Sequence, residues 1–376
     1  MRDVYVLGVG MIKFGRYPDK DVSELAAQAA LLALDDAGMA VKDIQLLASG
    51  NLLQANAMVG QRILQQIGQT GIPIINVSNA CATGSTAFRE AYFAVGSGEY
   101  DVAMAVGSEQ MGKAGLLGGG GGRESVEGIL GSGLMPAVFG QAGMEHMRQY
   151  GTKMEHFAKI SVKNHKHSTK NPLSQYQTEV GLEDVMKARM VAYPNTLYMC
   201  CPTGDGAAAA VICSESVLKK YGKKPVKVAC SVLTSDPWTP RDLTLPDVST
   251  LTRNAAKIAY EKAGVGPQDL DLVELHDCFA TAELLHYENL GLCKDGEAAR
   301  GVDEGWFEWG GKTPVNVSGG LLSKGHPLGA TGVANIFEVV THLRGQAGAR
   351  QVENAKVGLA HVIGLGSACT IHILTV

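Results

Sequence analysis

A histidine and a cysteine stand two positions apart in the stretch Glu-Leu-His-Asp-Cys-Phe, residues 274–279. On its own this pair fits half of a zinc site, a redox thiol, or the polar loop that follows a strand. No cysteines at zinc-ligand spacing accompany it, and the chain has no Cys-x-x-Cys pair. What His276 and Cys278 do therefore depends on the residues that meet them in the fold.

Cys81 lies in a second stretch that could do chemistry, Ser-Asn-Ala-Cys-Ala-Thr-Gly-Ser, between an apolar strand pattern and a helix of small residues. A thiol at a helix N-terminus meets the positive end of the dipole, so we expect a lowered pKa and a favoured thiolate. Backbone N–H groups of such a turn can stabilise an oxyanion. A buried, inert cysteine is the alternative, but the strand–turn–helix placement favours a nucleophile.

His326 lies in the third stretch, Ser-Lys-Gly-His-Pro-Leu-Gly-Ala-Thr-Gly, bracketed by Gly325 and Gly329. A histidine on a rigid Gly-His-Pro turn can aim one ring nitrogen at a thiol or a carbonyl oxygen. A capping or solvent-exposed histidine is the alternative. Near the C-terminus, Gly364 and Gly366 form a Gly-x-Gly turn. That turn fits either backbone N–H groups beside a ligand or an ordinary hairpin.

Three other patterns carry weaker signals. The stretch at residues 7–15 lacks the third glycine of a dinucleotide fingerprint, because Lys13 stands there. The glycine run at 118–122 has no Lys-Ser/Thr after it, which argues against a phosphate-binding loop. Asn-His-Lys-His-Ser at 164–168 lacks further ligands beside it, so we interpret it as a solvated basic stretch and not a metal site.

The elements that position these residues occur twice. Residues 1–53 and 226–280 both run from an apolar strand pattern through an Ala-rich helix to Ala-Gly and a second apolar run. Asn-Val-Ser occurs at 76–78 and again at 316–318, each time before a glycine-rich turn and a small-residue helix. We predict two related α/β halves whose sheets are covered by helices. The turns of Cys81 and His326 are then counterparts that meet near a pseudo-twofold axis.

Residues 116–190 do not follow the sequence pattern of either half. We interpret them as a loop domain inserted in the first half. Insertions of this kind commonly shape a binding site over a rigid scaffold. The predicted division is an N-terminal half at 1–115, the loop domain at 116–190, the return of the N-terminal half at 191–225, and a C-terminal half at 226–376.

Composition narrows the function classes. The chain of 376 residues is 45% hydrophobic and 19% charged, with a net charge of −4, which gives no electrostatic case for nucleic acid or an anionic membrane. No apolar run is long enough to cross a bilayer, and the N-terminus lacks the features of a signal peptide. The eight scattered cysteines favour free thiols in a reducing compartment. We expect a cytoplasmic protein.

Five stretches together resemble the thiolase superfamily and, within it, the sterol-carrier-protein-2 type of thiolase. In that family's order they are NACATGSTAF, FGQAGMEHMRQYGTKMEHFAKISVKNHKHS, CCPTGDGAAAA, ELHDCFATAELLHYENLGL and SGGLLSKGHPLGATG. The resemblance spans nearly the whole chain. It implies an α/β fold of five layers, αβαβα, built from two duplicated halves with an inserted loop domain.

The resemblance also implies a reaction. Cys81 would attack the 3-keto carbon of a fatty, branched or sterol side-chain 3-ketoacyl-CoA. Cleavage would release acetyl-CoA or propionyl-CoA and leave the shortened acyl group on Cys81 until a second CoA takes it. Coenzyme A would serve as co-substrate, with no permanently bound cofactor and no metal. His326 would activate the nucleophile, and His276 would join the oxyanion hole for the enolate.

Ordinary thiolases carry a second catalytic cysteine in a C-terminal Cys-x-Gly turn, and this chain does not. Cys369 lies beyond that turn, on the expected last strand. In the sterol-carrier type the acid/base role belongs to the cysteine of the His-Asp-Cys-Phe motif, here Cys278. A leaving carbanion needs a proton, and a thiol can donate one near neutral pH. Gly364 or Gly366 would give a backbone N–H to a second oxyanion hole.

Other functions stay open. One is biosynthetic acetoacetyl-CoA formation, with product handed to a small acyl-CoA-binding partner protein. Another is acyl-CoA or lipid binding without turnover, since a shared fold does not guarantee activity. An aldolase-like branch of the superfamily cleaves sterol side chains without the nucleophilic cysteine, and the presence of Cys81, His276, Cys278 and His326 together argues against it. Family members in animals carry a C-terminal lipid-transfer domain and a peroxisomal signal, and this sequence shows neither, so we expect a stand-alone enzyme, although a truncated chain would look the same. Because thiolases resemble one another in forming at least dimers, the resemblance also implies a homodimer.

Overall fold

The computed structural model describes residues 1–112, 134–221, 224–240, 248–365 and 367–376. The strands are β1 (Val4–Met11), β2 (Leu46–Gly50), β3 (Ile74–Val77), β4 (Val102–Gln110), β5 (Met190–Ala192), β6 (Asn195–Thr196), β7 (Asp205–Ser214), β8 (Val226–Thr234), β9 (Leu272–Glu274), β10 (Val357–Gly364) and β11 (Ala368–Thr375). The α-helices are α1 (Val22–Ala37), α2 (Val59–Ile67), α3 (Thr83–Gly96), α4 (Met135–Tyr150), α5 (Met154–Ser168), α6 (Leu182–Lys187), α7 (Glu215–Tyr221), α8 (Ser249–Ala263), α9 (Ala280–Asn289), α10 (Ala298–Asp303) and α11 (Leu328–Leu343).

Nine strands form one mixed sheet in the order β3-β2-β4-β7-β1-β8-β11-β10-β9. The two halves meet where β1 pairs antiparallel with β8, with Tyr5 opposite Lys227. From this junction outward the halves correspond strand for strand. In each half one antiparallel pair, β4 with β7 or β10 with β11, is followed by a parallel neighbour, β2 or β9. A parallel bridge from Val273 to Val315 takes the place that β3 has in the first half. The sheet therefore confirms the predicted duplication.

The two Ala-Gly pairs that align in the sequence mark equivalent helix ends. Helix α1 ends at Ala37, and Gly38 follows with a φ of 69°. Helix α8 ends at Ala263, and Gly264 follows with a φ of 68°. Glycine adopts this left-handed conformation without the steric penalty of a Cβ, which is why it stops both helices at the same point of the repeat.

Helices α3 and α11 pair at the centre of the molecule and contact strands of both halves. The helices approach so closely that a Cβ on Gly84 would lie 2.4 Å from the carbonyl oxygen of Gly329, and a Cβ on Gly332 would lie 2.3 Å from the backbone nitrogen of Ser85. Helix α1 covers the opposite face of the first half, and α8 covers that of the second. The strands of each half therefore lie between an outer helix and the central pair of helices. Across the molecule this gives the predicted order of layers, namely helix, sheet, helix, sheet, helix. The two turns that open α3 and α11 are brought together.

The interpretation of residues 164–168 as a solvated basic stretch is wrong. Asn164, His165 and His167 are buried on α5, which packs against α9, α10 and the turn Gly320–Lys324. Several of their polar atoms have hydrogen-bond partners inside the protein. The Asn164 amide donates to Asp277, for example, and Nδ1 of His167 lies 3.1 Å from the Asn316 carbonyl oxygen. The glycine run at 118–122 lies outside the described residues, and the four-part domain division stays a prediction.

All eight cysteines lie in the described part of the chain, and each is a free thiol. Among the described helices, none has the length and apolar character that crossing a membrane requires.

Candidate active site

Cys81, His276 and His326 converge at the seam between the two halves. The Cys81 sulfur, one ring nitrogen of His276 and one of His326 all lie within 4.8 Å of one another. The two rings meet edge to face, with centroids 5.1 Å apart and planes at 85°. Cys81 precedes α3, His276 follows β9, and His326 precedes α11. Each comes from a loop at the end of a core element, so a rigid scaffold sets their separation.

The turn that carries Cys81 is held in an uncommon backbone conformation. Ala80 has a φ of 48°, a region that costs a residue with a Cβ on the order of 1 kcal/mol or more. Thr83 fixes the turn, because its hydroxyl donates to the Ala80 carbonyl at 2.6 Å and accepts from the Asn79 N–H at 2.8 Å. Ala82 also donates to the Asn79 carbonyl. These bonds hold the thiol at the start of α3 and facing the second half.

The prediction of a lowered Cys81 pKa is wrong for this resting geometry. Burial, and secondly the negative charge of Glu109, raise the pKa of the Cys81 thiol to about 12. The side chain is only 4% exposed, so desolvation of a thiolate outweighs the favourable helix terminus. The resting nucleophile is therefore a thiol that needs a base.

His326 is oriented as that base. Its Nδ1 lies 2.7 Å from Thr331 Oγ1, and the Thr331 hydroxyl donates its proton to the Pro327 carbonyl at 2.9 Å. The hydroxyl must then accept from Nδ1–H, which leaves the lone pair on Nε2. That Nε2 is buried and has no hydrogen-bond partner in the described structure. Burial, and then Lys324, lower the pKa of His326 to about 3, so the imidazole is neutral.

His276 is held through its backbone. Its N–H donates to Nδ1 of His361 at 3.4 Å, and Nε2 of His361 lies 3.2 Å from Thr252 Oγ1. Burial lowers the pKa of His276 well below the usual range, and His326, His361 and His286 lower it further. A neutral imidazole here offers an N–H donor without adding a charge. His361 lies on β10, and its sequence context gives no sign of this contact.

Cys278 lies beside the same centre. Burial raises the pKa of its thiol well above the usual value, and Cys201, Cys81 and Asp277 raise it further. The Cys278 carbonyl accepts from the Cys201 N–H at 3.0 Å. Cys278 is therefore a neutral thiol, with its proton in place, within electrostatic reach of Cys81.

Asp277 joins two of the functional loops. Its carboxylate accepts from the backbone N–H groups of Leu321 at 2.7 Å and Leu322 at 3.2 Å, and from the Asn164 amide at 2.8 Å. Leu321 and Leu322 belong to the turn Gly320–Lys324 that leads into His326. The residue between His276 and Cys278 thus fixes the distance from their loop to the His326 loop.

A buried ion pair is linked to Asp277 through the Asn164 amide, which donates to both carboxylates. Lys163 Nζ lies 2.6 Å from Glu283 Oε1, and the other carboxylate oxygen accepts from the amides of Asn164 and Asn316. The side chains of Lys163 and Glu283 are almost fully buried. Because the ammonium of Lys163 pairs with the carboxylate of Glu283 and two amides donate to that carboxylate, the pair can lie in the core without an uncompensated charge.

Glu109 links the first half to the second. It lies on β4 and accepts from the backbone N–H groups of Leu52, Leu53 and Gly329 at 3.0 to 3.2 Å. Burial raises the pKa of Glu109 to about 7, although these donors oppose the shift. Its charge is also the second cause of the raised pKa of Cys81. Nothing in the sequence around it indicated this role.

Gly364, at the end of β10, lies directly against the Cys81 turn. A Cβ at this position would come 2.6 Å from the Asn79 carbonyl oxygen and 3.1 Å from the Ala80 Cβ, so only glycine allows the approach. Gly366 lies outside the described residues. Cys369 is buried on β11, as its position in the sequence predicts.

The described residues contain one cluster whose donor atoms could converge on a cation, namely Cys81, His276 and His326. A thiolate and two imidazoles form a ligand set that zinc accepts. The sequence-based expectation of no resident metal therefore stays a prediction.

Comparison with known proteins agrees with this architecture. The family model described as "Thiolase, N-terminal domain" matches residues 4–191, and "Thiolase C-terminal domain-like" matches residues 240–376. Human sterol carrier protein 2 is 43% identical over 394 aligned residues, which cover 99% of this chain and 72% of the relative. An acetyl-CoA acetyltransferase of Methanothermobacter thermautotrophicus is 38% identical over 390 aligned residues, which cover 100% of this chain and 100% of the relative.

Two solved structures share the fold. The Ltp2-ChsH2(DUF35) aldolase has a TM-score of 0.84 at 23% identity, over 98% of this chain and 97% of that one. Human mitochondrial 3-ketoacyl-CoA thiolase in complex with CoA has a TM-score of 0.75 at 20% identity, over 100% and 98%. The fold and site define a two-halved α/β protein with a thiol–imidazole centre. The chain belongs to the thiolase family and is an acyltransferase of that family.

Proposed function

We propose that the protein cleaves 3-ketoacyl-CoA with CoA, through an acyl group carried on Cys81. The observation that carries the proposal is the convergence of the Cys81 thiol with a neutral His326 whose Nε2 lone pair is buried and unpartnered within the described residues. A thiol next to a base of fixed tautomer matches the requirement for an activated nucleophile.

The first half of the reaction forms the acyl enzyme. The Cys81 proton passes to Nε2 of His326 as the sulfur bonds to the 3-keto carbon. The bond between carbons 2 and 3 then breaks, and its electron pair moves onto the enolate oxygen, which the N–H of His276 stabilises. The Cys278 thiol gives its proton to carbon 2. Acetyl-CoA, or propionyl-CoA from a 2-methyl substrate, leaves.

The second half returns the enzyme to its starting state. The thiolate of Cys278 takes the proton of an incoming CoA thiol, whose sulfur bonds to the acyl carbon on Cys81. The Cys81–acyl bond breaks, and the departing sulfur recovers its proton from His326. The backbone N–H of Gly364 or Gly366 is proposed to stabilise the oxyanion. Coenzyme A is thus a co-substrate, and neither step needs another bound group.

The test is CoA-dependent loss of 3-ketoacyl-CoA by the purified protein, with wild-type and Cys81→Ala compared side by side. We expect turnover in the wild type and none above background in the variant. Cys213→Ala is a suitable control, because Cys213 is also buried but lies on β7 away from the site. Turnover that survives in Cys81→Ala would overturn the assignment.

The reverse direction, condensation to acetoacetyl-CoA, is a second candidate. It is favoured by the similarity to an acetyl-CoA acetyltransferase over the full length of both chains. The two candidates differ in chain length. A biosynthetic enzyme would prefer acetoacetyl-CoA over longer 3-ketoacyl-CoA and would pass its product to a partner. A chain-length series of substrates, with co-purification of a small acyl-CoA-binding protein as a second readout, distinguishes them.

We also propose a homodimer that forms at the outer edge of β3. Among the described residues this strand ends the sheet, and its Ile75 and Val77 side chains are only partly buried. An open sheet edge with apolar side chains is a surface that a second copy can pair with. Sedimentation at micromolar concentration should give twice the chain mass, and Ile75→Lys should shift it toward one chain. The eight free thiols suit a reducing compartment such as the cytoplasm.

A further inference from the structure

The donor atoms that converge at the candidate active site also form a ligand set for a metal ion. The Cys81 sulfur, one ring nitrogen of His276 and one of His326 lie within 4.8 Å of one another, and all three side chains are buried. In the described part of the chain, no other group of three such residues has this spacing. Thiolates and imidazoles are ligands of zinc, whereas Mg²⁺ and Ca²⁺ bind oxygen atoms. The set therefore favours zinc.

The ring nitrogens of the two histidines include lone pairs and donors that the protein does not use. Nδ1 of His326 donates to Thr331 Oγ1 at 2.7 Å, which leaves the free lone pair on Nε2. Nε2 of His326 and Nδ1 of His276 are buried and have no hydrogen-bond partner among the described residues. A histidine that binds a metal usually donates its other ring N–H to a neighbouring oxygen. His326 thus has the tautomer and the outer hydrogen bond that a zinc ligand requires.

The movements that a zinc ion would require are small. Bonds of about 2.0–2.1 Å to nitrogen and about 2.3 Å to sulfur in a tetrahedron separate the donor atoms by about 3.3–3.6 Å. Because the three donors lie within 4.8 Å of one another, each separation would shrink by about 1.5 Å at most. The Cys81 side chain can turn about its one torsion. Nδ1 of His276 gives up no hydrogen bond when its ring turns.

The charges around the sulfur suit a bound cation. The negative charge of Glu109 acts on Cys81, where it disfavours a bare thiolate but favours a thiolate that is bound to a dication. The Lys324 ammonium acts on His326, but it is paired with the Glu274 carboxylate at 3.4 Å. Its positive charge is therefore partly compensated, and a dication at the sulfur meets an attractive field from Glu109.

We propose that Cys81, His276 and His326 form a site for one zinc ion, and that zinc bound there inhibits the enzyme reversibly. On binding, the S–H bond of Cys81 breaks and the proton leaves to the buffer. The sulfur bonds to zinc through the electron pair that held the proton, with no change of oxidation state, and water takes the fourth position. Zinc then occupies both the nucleophile and the lone pair of the base. The binding site stands on geometry, whereas the inhibition rests on the proposed function.

Titration of the purified protein with zinc chloride, in a buffer free of thiol reductants, tests the site without turnover. We expect calorimetry to show one tightly bound ion per chain. Cys81→Ala and His326→Ala should each weaken its binding by about 100-fold or more, beyond the loss usual for an outer-shell group. Cys213→Ala and His156→Ala are controls that should bind zinc as the wild type does, because both residues lie outside the cluster. Cobalt chloride should give the absorption bands of a tetrahedral thiolate complex in the wild type and not in Cys81→Ala.

An activity measurement tests the inhibition. The zinc-loaded protein, freed of excess metal, should lose most of its cleavage of 3-ketooctanoyl-CoA. EDTA should restore the rate, and magnesium chloride in place of zinc should leave it unchanged. Absence of tight binding in the wild type, or binding that survives in Cys81→Ala or His326→Ala, would overturn the site. Full activity with zinc bound would overturn the inhibition. Zinc binding that depends on both residues, in a protein without thiolase turnover, would instead overturn the proposed function.

Discussion

The Thr331 hydroxyl fixes the tautomer of His326. It donates to the Pro327 carbonyl and so must accept from Nδ1–H of the imidazole, 2.7 Å away. The free lone pair is thereby on Nε2, and one ring nitrogen of His326 lies within 4.8 Å of the Cys81 sulfur. The hydrogen bonds of Thr331 therefore define which ring nitrogen of His326 carries the proton and which one can act as a base.

Replacing Thr331 should therefore weaken the base without removing it. Thr331→Val takes away the acceptor and leaves a buried Nδ1–H without a partner. We expect kcat to fall about 10- to 100-fold, as is usual when a group that orients a functional histidine is lost. Thr331→Ser keeps the hydroxyl and should retain most activity. Steady-state kinetics of both variants checks this, and equal rates for Val and Ser would show that the tautomer is set elsewhere.

The resting thiol should react slowly with alkylating reagents. The pKa of Cys81 is raised to about 12 and that of His326 is lowered to about 3, so both are neutral between these limits. The thiolate fraction is then small at pH 7 and grows with pH. We expect the rate of Cys81 modification by iodoacetamide, followed by peptide mass spectrometry, to rise steadily from pH 6 to pH 9. A fast rate that is flat over this range would instead indicate a preformed thiolate–imidazolium pair.

Cys278 should matter more for carbon–carbon cleavage than for acyl transfer. A carbanion leaves only if carbon 2 receives a proton, whereas a CoA thiolate can leave Cys81 without one, although more slowly when Cys278 is absent. We expect Cys278→Ala to lose 3-ketoacyl-CoA cleavage by about 100-fold or more. The same variant should still transfer an acetyl group from acetyl-CoA to Cys81. Near wild-type cleavage by Cys278→Ala would show that the proton comes from another group.

The buried pair of Lys163 and Glu283 should be costly to break. Lys163→Met leaves the carboxylate without its cation, and we expect a loss of about 3–5 kcal/mol in the free energy of unfolding. Lys187→Met breaks the exposed pair with Glu183 and should cost less than about 1 kcal/mol. Urea denaturation of both variants measures the contrast. Equal losses would mean that Lys163 does not compensate a buried charge.

Local sequence patterns predicted the duplicated fold because each half repeats the same turn chemistry. The glycines after Ala37 and Ala263 end equivalent helices, and the glycine-rich turns after the two Asn-Val-Ser stretches lead into α3 and α11. The same logic placed Cys81 and His326 on facing loops, where the structure has them.

Other parts of the site depend on contacts between distant segments, which a single sequence does not display. Asp277 meets Leu321 across 44 residues, and His276 meets His361 across 85. Two predictions failed for a related reason. Burial reverses the expected shift in the pKa of Cys81, and burial against the second half gives Asn164 and His167 hydrogen-bond partners inside the protein. Desolvation of a side chain depends on its tertiary contacts, and a local sequence pattern does not show these contacts.

The proposed reaction requires the acyl group to be carried on Cys81. The protein can be mixed with 3-ketooctanoyl-CoA without free CoA and quenched with acid, and peptide mass spectrometry then locates the adduct. We expect a hexanoyl group on the Cys81 peptide and release of acetyl-CoA in equal amount. The adduct should disappear when CoA is added. An unmodified Cys81, or an adduct on Cys278 or Cys201 instead, would contradict the proposed reaction.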